Sequence, residues 1–435
     1  FFFNSGAGAD TVRGIASWDG INLSRLGKGL DYFNISSTAG PVYSIVRFQN
    51  EIYVAGATIT MAGDYWVNGI AKWNGTVWDT IAGGVLDNWN NRGAIYDMEV
   101  INNELYIAGG FTKVGISQIP ANGLAKYDGV QWSAVNNFPQ WDYNFNNINI
   151  VDAIVEYNGE LYVGGRFSDS NPIDSMYNIA KWNGSNWEQI ANGIAGGFST
   201  IEDMVVFQGK LYVAGAFSKN DNPSNPGNRI AAWNGSNWEQ VGNIWGITPT
   251  SFAFIDKMTI FNNELWVVGN FQKVGNMYSP HIAKYNGTTW CSVGDTFNLA
   301  LGASAVYNNK LYVGGAFTMI NSDNISQMAK WMGGNFVDSC EIFVGVNEEL
   351  ANNHNLLIYP NPTENELNIE FYVEGKSDIN ISIHNVVGQK IYDEQVQNCF
   401  GSCKKKISTE TFANGIYVIS INFGEGTVVK KIVKQ

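Results

Sequence analysis

The sequence predicts an all-β chain in which a β-propeller is followed by an immunoglobulin-like β-sandwich. Three observations carry that expectation. A hairpin pattern, clearest as Ile179-Ala180-Lys181-Trp182-Asn183-Gly184-Ser185-Asn186-Trp187-Glu188, recurs with its turn marked in order by Trp18, Trp73, Tyr127, Trp182, Trp233, Tyr285 and Trp331. A glycine-rich run, clearest as Glu160-Leu161-Tyr162-Val163-Gly164-Gly165-Arg166-Phe167, precedes each full copy by about fifteen residues. The repeat then stops near residue 341, and short apolar runs of a different pattern fill the rest of the chain.

Within the repeat, Trp-Asn-Gly joins two short strands. Asn and Gly tolerate the positive φ of both central residues of a type I′ turn, so a tight hairpin is expected there. The glycine-rich run supplies a second strand, and a β-rich run ending in a turn, such as Ile154-Val155-Glu156-Tyr157-Asn158-Gly159, supplies the first. Four strands in a period of about fifty residues are the mark of a propeller blade. Six blades are expected between residue 42 and about 340, with the first copy represented only by its outer half. Phe3 aligns with Phe167 and Phe217, so the chain is expected to start inside a blade, with upstream residues completing a seven-bladed ring. Trp182 and Trp187 are expected to wedge between neighbouring blades. Over about three quarters of its length the chain resembles Kelch-like propellers of bacterial surface proteins, which implies an architecture and no particular activity.

Composition narrows the partners. The net charge is −13, which argues against nucleic acid as a ligand. No run of about 18 apolar residues occurs, so no membrane-spanning helix is expected. The three histidines, His281, His354 and His384, fall in a blade, the linker and the last module. The paired histidines of a copper oxidase site are therefore lacking, and no metal or other cofactor is expected. Of four cysteines, Cys291 and Cys340 are expected on different blades, where a bond is disfavoured. Cys399 and Cys403 flank a hairpin tip, where one is plausible in an oxidising compartment.

Residues outside the repeat pattern are the candidates for binding. Tyr65, Trp66, Trp89, Trp141, Asp142, Tyr143 and Trp245 fall on the long loops, where aromatic rings can stack on sugar faces while amides and carboxylates bond hydroxyls. A polysaccharide or protein ligand is the expectation. The rival is an extracellular hydrolase or lyase using acids among Asp142, Asp152, Asp203 and Asp256, to be recognised by their convergence on one pocket with raised pKa values.

Residues 1–340 are thus assigned to the propeller, 341–355 to a polar linker and 356–435 to the sandwich. Strands are expected at 366–373, 379–387, 389–396, 405–411, 415–423 and 427–433, after a short one near 356–359. Three stretches stand out: Tyr359-Pro360-Asn361-Pro362 with Leu367; Ile381 to Tyr392, which contains Gly388; and Asn414-Gly415-Ile416-Tyr417-Val418-Ile419-Ser420-Ile421. A basic end carrying Lys430, Lys431 and Lys434 follows. These stretches closely resemble the type A C-terminal sorting domain of cargo exported by the type nine secretion system of Bacteroidota. The resemblance implies recognition by an outer-membrane translocon and a shuttle barrel. It also implies removal by a sortase-like surface protease cutting between about 345 and 355, and a secreted or surface-anchored product. An exposed edge strand with a positive end could dock by strand addition.

Overall fold

A computed structural model describes residues 2–4, 9–11, 13–20, 22–31, 41–57, 59–87, 93–135, 138, 150–168, 177–195, 200–219, 222–246, 252–275, 277–325, 327–333, 340–342, 354–385, 389–423 and 427–435. Among them every regular element is a β-strand, and no helix is long and apolar enough to cross a membrane. The chain divides into two compact units. One is Phe1–Gly287 with Ser292–Ser339, the other Thr288–Cys291 with Cys340–Gln435.

The first unit is a succession of antiparallel meanders in which strands pair in chain order. Their inner strands are Val42–Phe48, Ala94–Ile101, Ile150–Tyr157, Ile201–Phe207, Phe254–Phe261 and Leu301–Tyr307. The first four sheets have four strands each, and the last has three, Leu301–Tyr307, Lys310–Gly315 and Met328–Lys330. The fourth strand expected there, around Phe336, lies outside the described residues. The half copy at the start is a two-stranded sheet of Ala16–Trp18 and Leu23–Arg25.

The turn assignment needs correcting. Trp-Asn-Gly is not a two-residue type I′ turn: Trp73 pairs with Trp78, which leaves a four-residue loop. Only its glycine has positive φ (103° at Gly75), while Asn74 Oδ1 accepts the backbone N–H groups of Thr76 and Val77, both at 3.0 Å. Asn183, Asn234 and Asp128 do the same, because a short side-chain acceptor closes the loop without positive φ at that residue. Paired positive φ occurs instead between the first and second strands, at Gln49-Asn50, Asn102-Asn103, Asn158-Gly159 and Gln208-Gly209. The residue before a third strand is also left-handed at Gly69, Gly123, Arg229 and His281. His281 is therefore a turn residue, and it is buried, with Nδ1 3.1 Å from the carbonyl oxygen of Gly269.

Neighbouring sheets join by a repeated contact between the aromatic residue of one second strand and that of the next third strand. Tyr212 meets Tyr285 at 6.3 Å and Trp266 meets Trp331 at 5.2 Å between ring centroids. Trp182 and Trp187 pack against a cluster that joins Ala108 and Leu124 of one sheet to Val151, Val163 and Ala180 of the next, as the wedge expectation requires. The carboxamides of Gln49 and Gln208 donate to the carbonyls of Asp128 and Asn286 in another sheet's turn, at 3.0 and 3.1 Å.

In the second unit, Thr289–Cys291 pairs with Cys340–Ile342, which sets Cys291 opposite Cys340, and the two are disulfide-bonded. The expectation that a bond between them is disfavoured is wrong because Cys340 begins a strand of its own beside that of Cys291. Two of the expected strand pairs are fused. Glu366–Asn385 runs for 20 residues and Lys390–Ser408 for 19. Register shifts between Val373 and Ile379 bend this pair in the middle. One half of Glu366–Asn385 pairs with Leu357–Tyr359 and the other with Gly415–Asn422, so a single bent hairpin feeds two sheet halves around one core. Leu367, Ile369, Phe371, Ile379, Ile381, Ile383, Ile419, Ile421, Val428 and Ile432 fill it. Cys399 and Cys403 are bonded, at that bend rather than at a hairpin tip.

Candidate functional site: a ring of bulged residues

Each inner strand of the first unit carries a β-bulge at the same repeat position. The register skips Tyr43, Tyr96, Asp152, Glu202, Asp256 and Gly302 in turn. Each lies thirteen residues before a repeat glycine: Gly56, Gly109, Gly165, Gly215, Gly269 or Gly315. A Cβ at any of these glycines would collide with the carbonyl oxygen that precedes the bulged stretch, that of Thr200 in the case of Gly215. Glycine in the second strand is therefore what lets the inner strand cross so closely and push one residue out of the ladder.

The displaced residues face a common cavity of about 650 Å³ lined by all six bulge positions, together with Ser44, Asp97, Arg166, Asp203 and Lys257. One side is aromatic: Tyr43 and Tyr96 meet at 5.4 Å between ring centroids. The other side is acidic, with Asp152, Glu202 and Asp256 on three consecutive inner strands.

The neighbouring acids have a different task. Asp97 Oδ2 accepts the N–H of Ile154 at 2.9 Å, and Asp203 Oδ2 accepts that of Met258 at 2.6 Å, both in the next sheet. Ser44 Oγ accepts the N–H of Met98 at 3.2 Å from the equivalent place. A bulge frees a backbone N–H, and the preceding sheet caps it. Asp203 also takes Lys257 Nζ at 2.7 Å, and this charge holds Lys257 protonated. Asp97 and Asp203 thus join neighbouring sheets, while Asp152, Glu202 and Asp256 line the cavity, Asp152 accepting the Thr200 hydroxyl at 3.4 Å.

Burial raises the Asp152 carboxyl to about 7, helped by the Glu202 charge and opposed by Arg166, whose Nε lies 3.6 Å away. Asp256 rises to about 7 for the same first two reasons and has no opposing cation. Burial also pushes Glu202 up. Among the described residues no group of three or more His, Cys, Asp or Glu could hold a metal ion.

Of the expected loop candidates, Trp89, Trp141, Asp142 and Tyr143 lie outside the described residues. Tyr65 and Trp66 form an exposed two-residue strand in a small sheet with Leu30–Asp31 and Met61–Ala62. Trp245 is half-buried in a separate small sheet with Lys273–Val274, so the two described groups sit on different sheets. Of the acids named for the rival reading, Asp152, Asp203 and Asp256 share the cavity. Tyr43, Tyr96 and Glu202 were not singled out. Their signal was the constant spacing to the glycine of the second strand.

In the second unit, Asn361 ties the first turn to the last strand: its Nδ2 donates to the Lys431 carbonyl at 2.9 Å, and its Oδ1 accepts the Val433 N–H at 2.8 Å. The Tyr359-Pro360 and Asn361-Pro362 peptide bonds that flank this turn are both cis. Tyr359 hydrogen-bonds Glu370 and accepts from Lys404 Nζ at 3.0 Å. Tyr417 is buried, with its hydroxyl donating to the Ala413 carbonyl at 2.8 Å, two residues before Gly415. Lys431 is exposed, Lys430 half-buried and Lys434 buried, so the positive end is presented chiefly by the first two. Gly388 lies outside the described residues.

No curated protein sequence matches the chain. Similar solved structures include an exo-β-1,3-galactanase from Phanerochaete chrysosporium with β-1,3-galactotriose, at 13% identity over 81% of this chain and 99% of that one, TM-score 0.26. A family 43 arabinoxylan arabinofuranohydrolase from Bacillus subtilis in complex with cellotetraose matches at 13% identity over 89% and 93%, TM-score 0.22. A family 32 glycoside hydrolase from Bifidobacterium adolescentis matches at 11% identity over 91% and 76%, TM-score 0.23. Likeness of that degree assigns neither a fold nor an activity. Residues 357–435, by contrast, match the family described as the secretion system C-terminal sorting domain. The strand framework held by Asn361 is thus a sorting domain, and the chain that carries it is a type IX secretion substrate, delivered to the cell surface or beyond.

Proposed function

We propose that the exported part is a Kelch-like propeller with seven blade positions, whose central channel binds a polysaccharide. The observation that carries this reading is the ring of bulges: two tyrosines and three carboxyls from consecutive inner strands face one cavity of about 650 Å³. Tyrosine rings suit the apolar faces of sugars, and carboxyls suit their hydroxyls. The acidic wall favours a neutral polymer over a uronate-rich one. The aromatic platform expected at Tyr65, Trp66 and Trp245 is in this reading supplied by Tyr43 and Tyr96.

A second reading, hydrolysis, is favoured by the raised carboxyls. Asp256, lacking a cation, would give its proton to the leaving glycosidic oxygen, and Asp152 beside Arg166 would take one from the attacking water. Purified protein mixed with a panel of neutral polysaccharides distinguishes the two. Binding that Tyr96→Ala weakens, with no release of reducing ends, supports the binder. Reducing ends that disappear in Asp256→Asn support the hydrolase. No binding and no release across the panel rejects both.

For the second unit, we propose an immunoglobulin-like sandwich that is read by the translocon and a shuttle barrel and cut off by a sortase-like protease within 345–355. The N- and C-terminal sequences of the surface-exposed product test the cleavage.

A further inference from the structure

Arg166 breaks the repeat. The residue that follows the second-strand glycine is Ala57, Gly110, Ala216, Asn270 and Ala316 in five copies, and arginine in one. Of the described residues that line the cavity, all but Arg166 lie on the six inner strands. A second strand thus reaches the cavity only where a long side chain replaces a short one.

The base of that side chain is fixed. Glu160–Ser168 runs for nine residues, Arg166 stands opposite Ile150 in the ladder, and the next residue, Phe167, is fully buried, its N–H donating to Asn178 Oδ1 at 3.0 Å. The far end is not so held. Nε is buried but has no hydrogen-bond partner, since Asp152 Oδ2 lies 3.6 Å away, and among the described residues this ion pair is the guanidinium's one polar contact. With Nε turned to Asp152, the two Nη groups are left to the cavity. Their charge acts on Tyr96 of the aromatic side and on Asp152 and Glu202 of the acidic side, so the guanidinium stands where the two sides meet. A guanidinium offers parallel N–H donors and no acceptor, so it calls for two neighbouring acceptor oxygens. A carboxylate would supply them, but Asp152, Glu202 and Asp256 on the same wall oppose a further anion. Two hydroxyls on adjacent ring carbons supply them without charge.

We propose that Arg166 determines which linkage the cavity accepts: its two Nη groups donate to a vicinal diol of one sugar ring while that ring lies against Tyr96. The inference rests on the saccharide reading of the cavity and adds a substrate class to it. A 1,4-linked hexopyranose keeps its 2- and 3-hydroxyls free and adjacent. A 1,3-linked one has its 3-oxygen in the chain, and its remaining ring hydroxyls are not neighbours. The selected class is therefore a neutral 1,4-linked polysaccharide.

The test is titration of the full chain with soluble neutral polysaccharides in matched 1,4- and 1,3-linked pairs of gluco, manno and galacto configuration, compared per sugar residue so that chain ends contribute little. Within at least one pair the 1,4-linked member should bind about tenfold tighter or more, as charge-assisted hydrogen bonds allow. Arg166→Lys keeps the charge and loses the fork, so it should weaken 1,4-linked binding about tenfold and leave 1,3-linked binding unchanged. Arg166→Met should do the same, whereas a merely structural role would weaken both linkages alike. The comparison on the unsubstituted chain decides the matter even where a variant folds poorly. Equal affinity in every pair, a reversed preference, or a preference that survives in Arg166→Lys overturns the proposal and leaves the saccharide reading standing. No binding to any member overturns both.

Discussion

Replacing Gly215 by Ala tests whether the repeat glycines exist to make the bulges. Gly215 does not have positive φ, so alanine carries no intrinsic backbone penalty there. The added Cβ would collide with the Thr200 carbonyl oxygen and stand 2.9 Å from Glu202 N and 3.1 Å from Ile201 Cα. All three are main-chain atoms, which cannot rotate away, so the cost should fall at or above the upper end of the overpacking range, about 3 kcal/mol. Gly302→Ala is the control. It sits at a bulge position itself, and its Cβ would meet nothing within 4 Å, so its effect should stay within about 0.5 kcal/mol. Urea unfolding of the two variants gives the comparison. If Gly215→Ala unfolds within about 0.5 kcal/mol of Gly302→Ala, the close crossing is not what fixes the bulge, and the origin assigned to the bulged residues of the cavity fails.

Three further outcomes follow from the same geometry. Asp152 and Asp256 hold their protons to about pH 7 when folded and release them near pH 4 when unfolded, so the folded state binds more protons in between. Thermal stability should therefore fall as pH rises from about 4 to about 7 and level off above, with Asp256→Asn flattening part of the slope in calorimetric scans. Asp203→Ala leaves Lys257 and the Met258 N–H without their carboxylate; with Lys257 part-exposed, the loss should be about 2 to 3 kcal/mol by chemical denaturation. Deleting residues 427–435 removes Val428 and Ile432 from the sandwich core and both Asn361 contacts to the last strand. It should cost more than about 4 kcal/mol and leave the protein on the cell side of the outer membrane on fractionation.

What could be read from the sequence, and what could not, separates along one physical line. Spacing of apolar and glycine residues reports the ladder, so the meanders, their aromatic contacts and the sorting module were all legible. A bulge is a break in the ladder, and period-two reasoning passes over it. The acids of the rival reading were therefore named without the glycine spacing that sorts them, and Asp203 stood beside Asp256 although one caps a neighbouring backbone N–H and the other faces the cavity. The turn error has a similar source. Asn-Gly favours positive φ, but Asn74 is used for its side-chain oxygen, and only the pairing of Trp73 with Trp78 reveals that two more residues belong to the loop. Likewise Cys291 and Cys340 seemed separated while each was assigned to its own blade; a three-residue strand at 340–342 brings them face to face. In each case the missing information was register, which depends on which residue of a distant strand stands opposite. Repeats supply that information when every copy is laid on the same glycine, and it is on that alignment that the acidic and aromatic sides of the cavity first become visible.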